Sequence, residues 1–353
     1  MNPRIVGWDV GGAHLKAALL NEQGRLEIAR QVACPLWQGL NRLDRALALM
    51  LEVIPDDPGT HHVMTMTGEL ADHFANRQEG VRELTRTMAR RLGAGRVKVF
   101  RGDGGLIGAE AMALSDTLKV ASANWLATGL WAATRIQDAL LVDVGSTTTD
   151  LLAISDSRVA YRGYTDGERL RYDELVYSGV VRTPIMALTG KVPLDGAWSG
   201  VMAEHFASMA DVYRLTGELP EAADQMPAAD QGPKTPGGSR QRLARQYGWD
   251  AEMLSDARWL ELAIHLRERQ LTLLHKAVDL QLSRGLLGPS APLIGAGIGR
   301  FLVRTLANRS GRAYVDFNDL LPAPAPSVDF SAADCGPAVA LACLASLEIQ
   351  PGS

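Results

Sequence analysis

Two periods alternate along this chain. Short unbroken or alternating apolar runs predict strands at residues 5–20, at "HHVMTMTGEL" (61–70), at "VKVF" (97–100) and at 139–154. Residues 1 to about 33 read as a meander, with "NEQG" (Asn21 to Gly24) turning one hairpin. Helical spacing marks "NRLDRALALMLEVI" from Asn41, "EGVRELTRTMARRLG" closed by Gly93, and a buried stretch from Ser122 to Thr134. It returns in "GVMAEHFASMADVYRLTG", in "DARWLELAIHLRERQLTLLHKAVDLQLSRGLLG" with Gly285 or Gly288 as its stop, and in "SAADCGPAVALACLASLE". Between the fourth and fifth of these, residues 216–239 carry Pro, Ala, Asp and Gly without periodicity and read as a long mobile excursion or lid.

The strands end in unusual turns. In "LLVDVGSTTTDLLAI" (140–154) an apolar strand gives way to Asp143, Gly145, Ser146, Thr147, Thr148 and Thr149, closed by Asp150. Backbone N–H groups of a glycine turn and neighbouring hydroxyls can cradle phosphate oxygens, and Asp143 then sits where a hydrated Mg2+ joins them. A polar hairpin built on Asx and Ser/Thr turns is the simpler account. "IVGWDVGGAHLKAALL" repeats the design: Asp9-Val10-Gly11-Gly12 aligns with Asp143-Val144-Gly145-Ser146, followed by Ala13 and Lys16. Neither copy has the Walker or the dinucleotide glycine pattern. A third turn, in "PLIGAGIGRFLV", is lined by Gly295, Gly297 and Gly299 and leads into a helix. Two further strands deliver Thr67-Gly68-Glu69 and Asp103-Gly104-Gly105, and ligands collect at such strand ends. Glu69 and Asp103 are therefore candidates for the site, with capping and turn chemistry as the other role open to them.

Bulk properties narrow the classes. The chain has 353 residues, 46% hydrophobic, enough for two or three packed domains. A net charge of −4 with scattered basic residues leaves no footprint for nucleic acid. Three cysteines, Cys34, Cys335 and Cys343, have neither a disulfide framework nor metal-ligand spacing, so a reducing, cytoplasmic setting is expected. Cys335 follows Asp334 near a helix start and reads as a nucleophile or as a small buried residue. No leader is expected, and no uncharged run approaches a membrane span. Tyr161, Tyr164, Arg169, Arg171, Tyr172 and Tyr177 crowd a short stretch that suits a planar or carboxylated ligand, or an ordinary sheet surface.

Three glycine turns in this order, two with Asp, resemble the actin-like ATPase superfamily of sugar kinases, heat-shock chaperones and actin. The resemblance implies a two-lobed α/β, ribonuclease H-like fold with a ligand cleft between the lobes. The first lobe would span 1–135 and the second 136–333, with a helix in 334–353 returning to the first. In that superfamily the first two hairpins hold phosphate and metal, which implies metal roles for Asp9 and Asp143. Phosphate roles follow for Gly11, Gly12, Ala13, Lys16, Gly145, Ser146, Thr147 and Thr148. The third turn holds adenosine, which makes Gly295, Gly297 and Gly299, with Glu69, nucleotide-like or substrate residues. More narrowly, "GWDVGGAHLKAA", "MTGELADHF", "RGDGGLIGAE", "SANWLATG", "VDVGSTTTDLLAI", "GYTDGERLRYDELVYSGVVRTP", "ADVYRLTG" and "IGAGIGRFLV" resemble the hydantoinase/oxoprolinase family. The branch they are similar to is linked to tetrahydromethanopterin-dependent one-carbon transfer. One departure is His14, where that branch has Asn.

This resemblance implies a transferase of methanofuran or methylofuran biosynthesis. It would join an aminomethylfuran carrying a methyl diphosphate to the phenol of a glutamyl-tyramine, releasing diphosphate. Mg2+ is the implied cofactor, with Lys16 adding a point charge on the diphosphate. The phenol ionises near pH ~10, so a base is expected. Asp9, Asp143, Asp150 and Asp103 are the candidates, and an Asp that holds metal is a poor base, which favours Asp150 or Asp103. The partners would be small molecules, and a homodimer is compatible with the chain. Three other readings share the fold: an ATP-dependent kinase or ATPase, a nucleotide-switched binding protein, and a hydantoin or oxoproline ring-opening enzyme.

Overall fold

Every side chain of β1 (Ile5–Val10) is buried, so this strand needs cover on both faces and neighbours at both edges. β2 (His14–Leu20) pairs with it antiparallel, Asp9 opposite Lys16, and β3 (Leu26–Ala33) continues the meander. At the other edge β4 (His61–Met66) runs parallel to β1, with Met66 opposite Val10. β5 (Val97–Arg101) follows parallel and β6 (Gly105–Gly108) antiparallel, giving the order β3-β2-β1-β4-β5-β6. The crossovers are the helices Asn41–Leu51 and Arg77–Leu92. Asn76 caps the second, accepting from the Glu79 N–H at 3.0 Å, and Gly93 ends it at φ +91°. Trp8, Leu15, Leu43, Met64, Leu84 and Val99 are among the fully buried residues of this core.

The computed structural model describes residues 3–103, 105–323 and 330–349. Gly104 of the expected Asp103–Gly105 turn lies outside them, as do residues 324–329 of the expected second lobe and 350–353 of the expected terminal segment.

A second sheet repeats the first. β7 (Ala139–Val144) and β8 (Thr149–Ser155) form a hairpin; β9 (Arg158–Ala160) comes next in the chain. β10 (Leu175–Val176) pairs antiparallel with β8. After a small hairpin of β11 (Lys191–Leu194) and β12 (Ala197–Gly200), β13 (Leu293–Ala296) lies parallel to β7, and β14 (Tyr314–Asp316) completes the sheet. The order β10-β8-β7-β13-β14 matches β3-β2-β1-β4-β5 strand for strand. The duplicated Asp–Gly motif thus belongs to a duplicated architecture.

The chain divides into two compact units. Met1–Ala139, Ile154–Glu168 and Asp316–Ser353 make the first; Leu140–Ala153 and Arg169–Val315 make the second. These boundaries differ from a division at 135 and 333. Residues 154–168 rejoin the first unit because Tyr161 and Tyr164 pack edge-on to Trp125, at 5.2 and 6.0 Å between ring centres. The C-terminal helix Gly336–Ile349 lies against β1, β2 and β4, so closely that a Cβ on Gly7 would strike the Ala338 carbonyl oxygen.

Residues 216–239 contain more regular structure than their composition predicts. Glu221–Ala223 form a 3-10 turn, and a helix Pro236–Arg245 begins inside the stretch. Thr235 caps that helix by accepting from the Gly238 N–H at 3.2 Å. Pro is suited to the first helical turn, so "TPGG" is a helix start rather than loop punctuation.

Candidate functional site

In the second unit the turn after β7 is closed by the Gly145 N–H donating to the Thr148 carbonyl at 2.8 Å. Its other carbonyls are taken by neighbouring backbone. Gly145 O accepts from Val180 at 3.1 Å, and Ser146 O from Val181 and Arg182 at 3.1 and 2.8 Å. In a trans peptide the C=O and N–H point opposite ways. The N–H groups of Ser146 and Thr147 are therefore turned away from residues 180–182, side by side, which is the arrangement that receives an anion. Gly179 permits this packing, since a Cβ there would lie 2.5 Å from Thr147 N. Arg182 is drawn below its ordinary guanidinium pKa by burial, and its Nη1 reaches to 3.5 Å from Thr147 Oγ1.

The third glycine turn packs directly on this one. The Gly299 N–H donates to Val144 O at 2.8 Å. Gly297, at φ +78°, would drive a Cβ into Val144 O and Asp143 Oδ1, and a Cβ on Gly299 would meet Val144 and Val180. Gly295 faces the Tyr314 ring. Close chain approach thus accounts for all three glycines in their own unit.

The first unit repeats the turn. The Gly11 N–H donates to His14 O at 3.0 Å, while Gly12 O and Ala13 O accept from Leu36 and Cys34 at 3.0 and 2.8 Å. By the same peptide geometry the N–H groups of Ala13 and His14 point the other way. A Cβ on Gly12 would meet nothing within 4 Å, so an anion has room beside it. Asp9 is buried, with Asn124 Nδ2 3.4 Å from its Oδ1, and Lys16 lies opposite it across the β1–β2 ladder.

Two residues before Asn124, Ser122 adopts φ +50° and donates to Glu69 Oε1 at 2.7 Å. Its hydroxyl is also 3.2 Å from Asp166 Oδ2, which the Arg77 guanidinium holds at 2.7 Å. Glu69 is 1% exposed, and burial pushes its carboxyl above the ordinary carboxylate range. Tyr164, packed on Trp125, donates to the Lys119 carbonyl, and burial pushes its phenol up to about 12.

The remaining expected residues have other partners. Asp150 is bound by the buried Arg169 at 2.8 Å. Asp103 is exposed, and the Lys119 ammonium holds its carboxyl below the usual range. It lines a cleft of about 450 Å³ with Arg101, Leu130 and Leu344, a cleft that neither Asp9 nor Glu69 lines. Cys335 is buried and its thiol is pushed up to about 12 by that burial, which disfavours the thiolate. Ser122, Asn124, Asp166, Arg77 and Arg182 are the additions that sequence reasoning missed. "SANW" and "VVRTP" stood in quoted motifs, but nothing in them signalled which polar atoms converge.

Among the described residues no group of three or more His, Cys, Asp or Glu could cage a metal. In general Mg2+ can be held by one or two carboxylates, with phosphate and water supplying its other oxygens. Asp9 and Asp143, each two residues before its turn, are the carboxylates that would be offered to such an ion. No helix among the described residues is long and apolar enough to cross a membrane.

A family model described as Hydantoinase/oxoprolinase matches residues 61–332. The chain is 30% identical over 280 residues to the "(4-{4-[2-(gamma-L-glutamylamino)ethyl]phenoxymethyl}furan-2-yl)methanamine synthase" of Methanocaldococcus jannaschii, covering 79% of this chain and 82% of that protein. A protein of the same name from Methanococcus vannielii is 31% identical over 128 residues, 36% of this chain and 57% of its own. Among solved structures, nucleotide-free acetone carboxylase aligns with 97% of this chain and 70% of its own at a TM-score of 0.57. At 12% identity that likeness concerns the fold alone.

Proposed function

This chain belongs to the hydantoinase/oxoprolinase family and has the actin-like ATPase α/β fold, and from that premise we propose that it is a biosynthetic transferase forming an aryl–alkyl ether. Its substrates would be an aminomethylfuran bearing a methyl diphosphate and the phenol of a glutamyl-tyramine. Its products would be the phenoxymethylfuran amine and diphosphate. The observation that carries this reading is the 30% identity, over 79% of the chain, to a synthase whose name describes that ether. Methanofuran-type one-carbon metabolism is the setting this product class serves.

The residues suit the chemistry. Displacement at a carbon attached to an electron-rich furan needs support for the charge that builds on the leaving diphosphate. The paired N–H groups of Ser146 and Thr147, with the adjacent hydroxyls and Arg182, would bind diphosphate oxygens in the second unit. Those of Ala13 and His14, with Lys16, would do so in the first. Asp9 in the first unit and Asp143 in the second would each offer a carboxylate to Mg2+, which when bound supplies positive charge to the departing oxygen.

The test supplies the furanylmethyl diphosphate and the glutamyl-tyramine with Mg2+ and follows the ether by mass and diphosphate by a coupled assay. Ether and diphosphate should appear in equal amounts without ATP. Hydrolysis of ATP with no ether formed would overturn the reading in favour of a kinase or ATPase.

A further inference from the structure

Beside its phosphate-type turn the first unit buries an acid with an incomplete set of partners. Gly68 packs against the carbonyls of Val10 and Gly11, where a Cβ would lie 3.0 and 3.2 Å away, and Glu69 is the next residue. Glu69 Oε1 accepts from Ser122, while Oε2 is buried with no hydrogen-bond partner from another residue. A buried carboxylate oxygen left this way calls for an explanation. A second constraint comes from Ser122. Its hydroxyl carries one proton, yet it stands between two carboxyl groups, 2.7 Å from Glu69 and 3.2 Å from Asp166. One proton cannot satisfy both, so the acid–hydroxyl–acid chain is complete only when it holds another. Ser122 keeps this bridging position in a backbone conformation, φ +50°, that L side chains rarely adopt.

We propose that Asp166, Ser122 and Glu69 form a proton relay: Asp166 takes the proton of the attacking phenol, and Ser122 passes one inward to Glu69. The direction of flow rests on the ether-forming reaction proposed above; the shared proton does not. As the phenol O–H breaks, its proton goes to Asp166. Asp166 returns a proton to Ser122 Oγ while the Ser122 proton moves to Glu69 Oε1. The phenol oxygen bonds to the furan methylene carbon, and the carbon–oxygen bond to diphosphate breaks, its electron pair leaving with the diphosphate. Asp166 is then again an anion against Arg77, and Glu69 is neutral. The proton departs to water by the reverse route before the next turnover.

The charged neighbours are consistent with this assignment. Asp166 opposes the Glu69 charge and Arg77 favours it, while burial, the largest influence, favours the neutral acid. Tyr164, the other titratable group that senses Glu69, stays neutral. Asp166, with 18% of its side chain exposed, is the outer end, and Glu69 is the inner one. Burial favours the neutral form of Glu69, whereas the Lys119 ammonium favours the ionised form of Asp103, and the relay links Glu69 to Asp166 at its outer end.

Infrared pH titration of the full chain tests the shared proton without substrate. Wild type should show a carboxyl band titrating above the ordinary range, absent in Glu69→Gln and shifted to a different pH in Ser122→Ala. With substrates, Glu69→Gln should lower kcat about 10²-fold, leave the phenol KM nearly unchanged and move the acid limb of the pH profile. A fluorinated, more acidic phenol should recover part of the loss. Melting curves check that both variants fold, and Asp166→Asn provides a second entry to the relay if Ser122→Ala does not. A band unchanged in Glu69→Gln, or superimposable pH profiles, overturns the relay. A normal band with no ether formed by wild type sinks the reaction reading and leaves the shared proton standing.

Discussion

His62 and Glu69, one inside β4 and one just past its end, make stability depend on pH in opposite senses. The indole N–H of Trp8 donates to His62 Nδ1 at 3.2 Å, so Nδ1 is an acceptor and the ring proton sits on Nε2, 3.1 Å from Asp56 Oδ1. Burial lowers the His62 pKa below 6.5. A lowered histidine binds its proton more readily unfolded, so its contribution is present above 6.5 and is lost as pH falls through the folded value. Glu69 is raised above 4.5, so its contribution is present below 4.5 and is lost as pH rises through the folded value. Denaturant unfolding from pH 4 to 8 should therefore give a shallower acid decline for His62→Gln than for wild type. Glu69→Gln should gain on wild type toward the alkaline end, and curves parallel to wild type for both would refute the assignments. The turns that carry Asp9 and Asp143 were legible because an acid two residues before a turn glycine is a local pattern, and the structure forms both turns. Ser122, Asn124 and Asp166 were illegible because their role depends on one positive φ and on contacts 44 to 115 residues apart in the chain.

At the scale of elements, the stretch 216–239 carries more local structure than its composition signals. Its polar residues are tied down. Asp224 pairs with Arg214 at 2.5 Å, Asp230 with Arg242 at 3.0 Å, and the Lys234 ammonium donates to Asp224 O at 2.6 Å. Beneath them Asp211 and Arg242 are both buried, Arg242 Nε donating to Asp211 Oδ1 at 2.8 Å and Ser239 Oγ donating to the same oxygen at 2.7 Å. These bonds join the helices Met209–Thr216 and Pro236–Arg245 beneath the stretch. A composition without periodicity gave no sign of these partners, and ion pairs hold the stretch where apolar side chains are few. Removing one partner of a buried pair strands the other's charge, at a cost of about 3–5 kcal/mol. Arg242→Ala should lose that much in urea unfolding, and Asp211→Asn combined with Arg242→Met should recover part of it. A loss no larger than that of an exposed substitution, ~0.5 kcal/mol, would show that the pair carries no stability.

At the scale of the whole molecule, the fold class was readable because two strand–turn–strand units confirmed each other, and the matching strand orders show why. The composition of the units was not readable, because the chain passes between them at 139, 153, 168 and 315. No local pattern marks those crossings; they follow from contacts such as Trp125 with Tyr161 and Gly7 with Ala338. One consequence concerns the first 139 residues, which look like a domain in sequence and hold the whole six-stranded sheet. They lack the helix Gly336–Ile349 that covers β1, β2 and β4. Val339 and Leu341 of that helix are fully buried, and losing each forgoes roughly 1.5–3 kcal/mol. The sheet face left open would add to that loss, against a net stability of ~5–15 kcal/mol for a typical domain. A fragment of residues 1–139 should therefore give a collapsed chain with poor amide dispersion and no cooperative melt, while the full chain melts cooperatively. A sharp transition in that fragment would mean that β1 tolerates an uncovered face, and the interleaved division of the chain would then be a matter of contact geometry with no energetic weight.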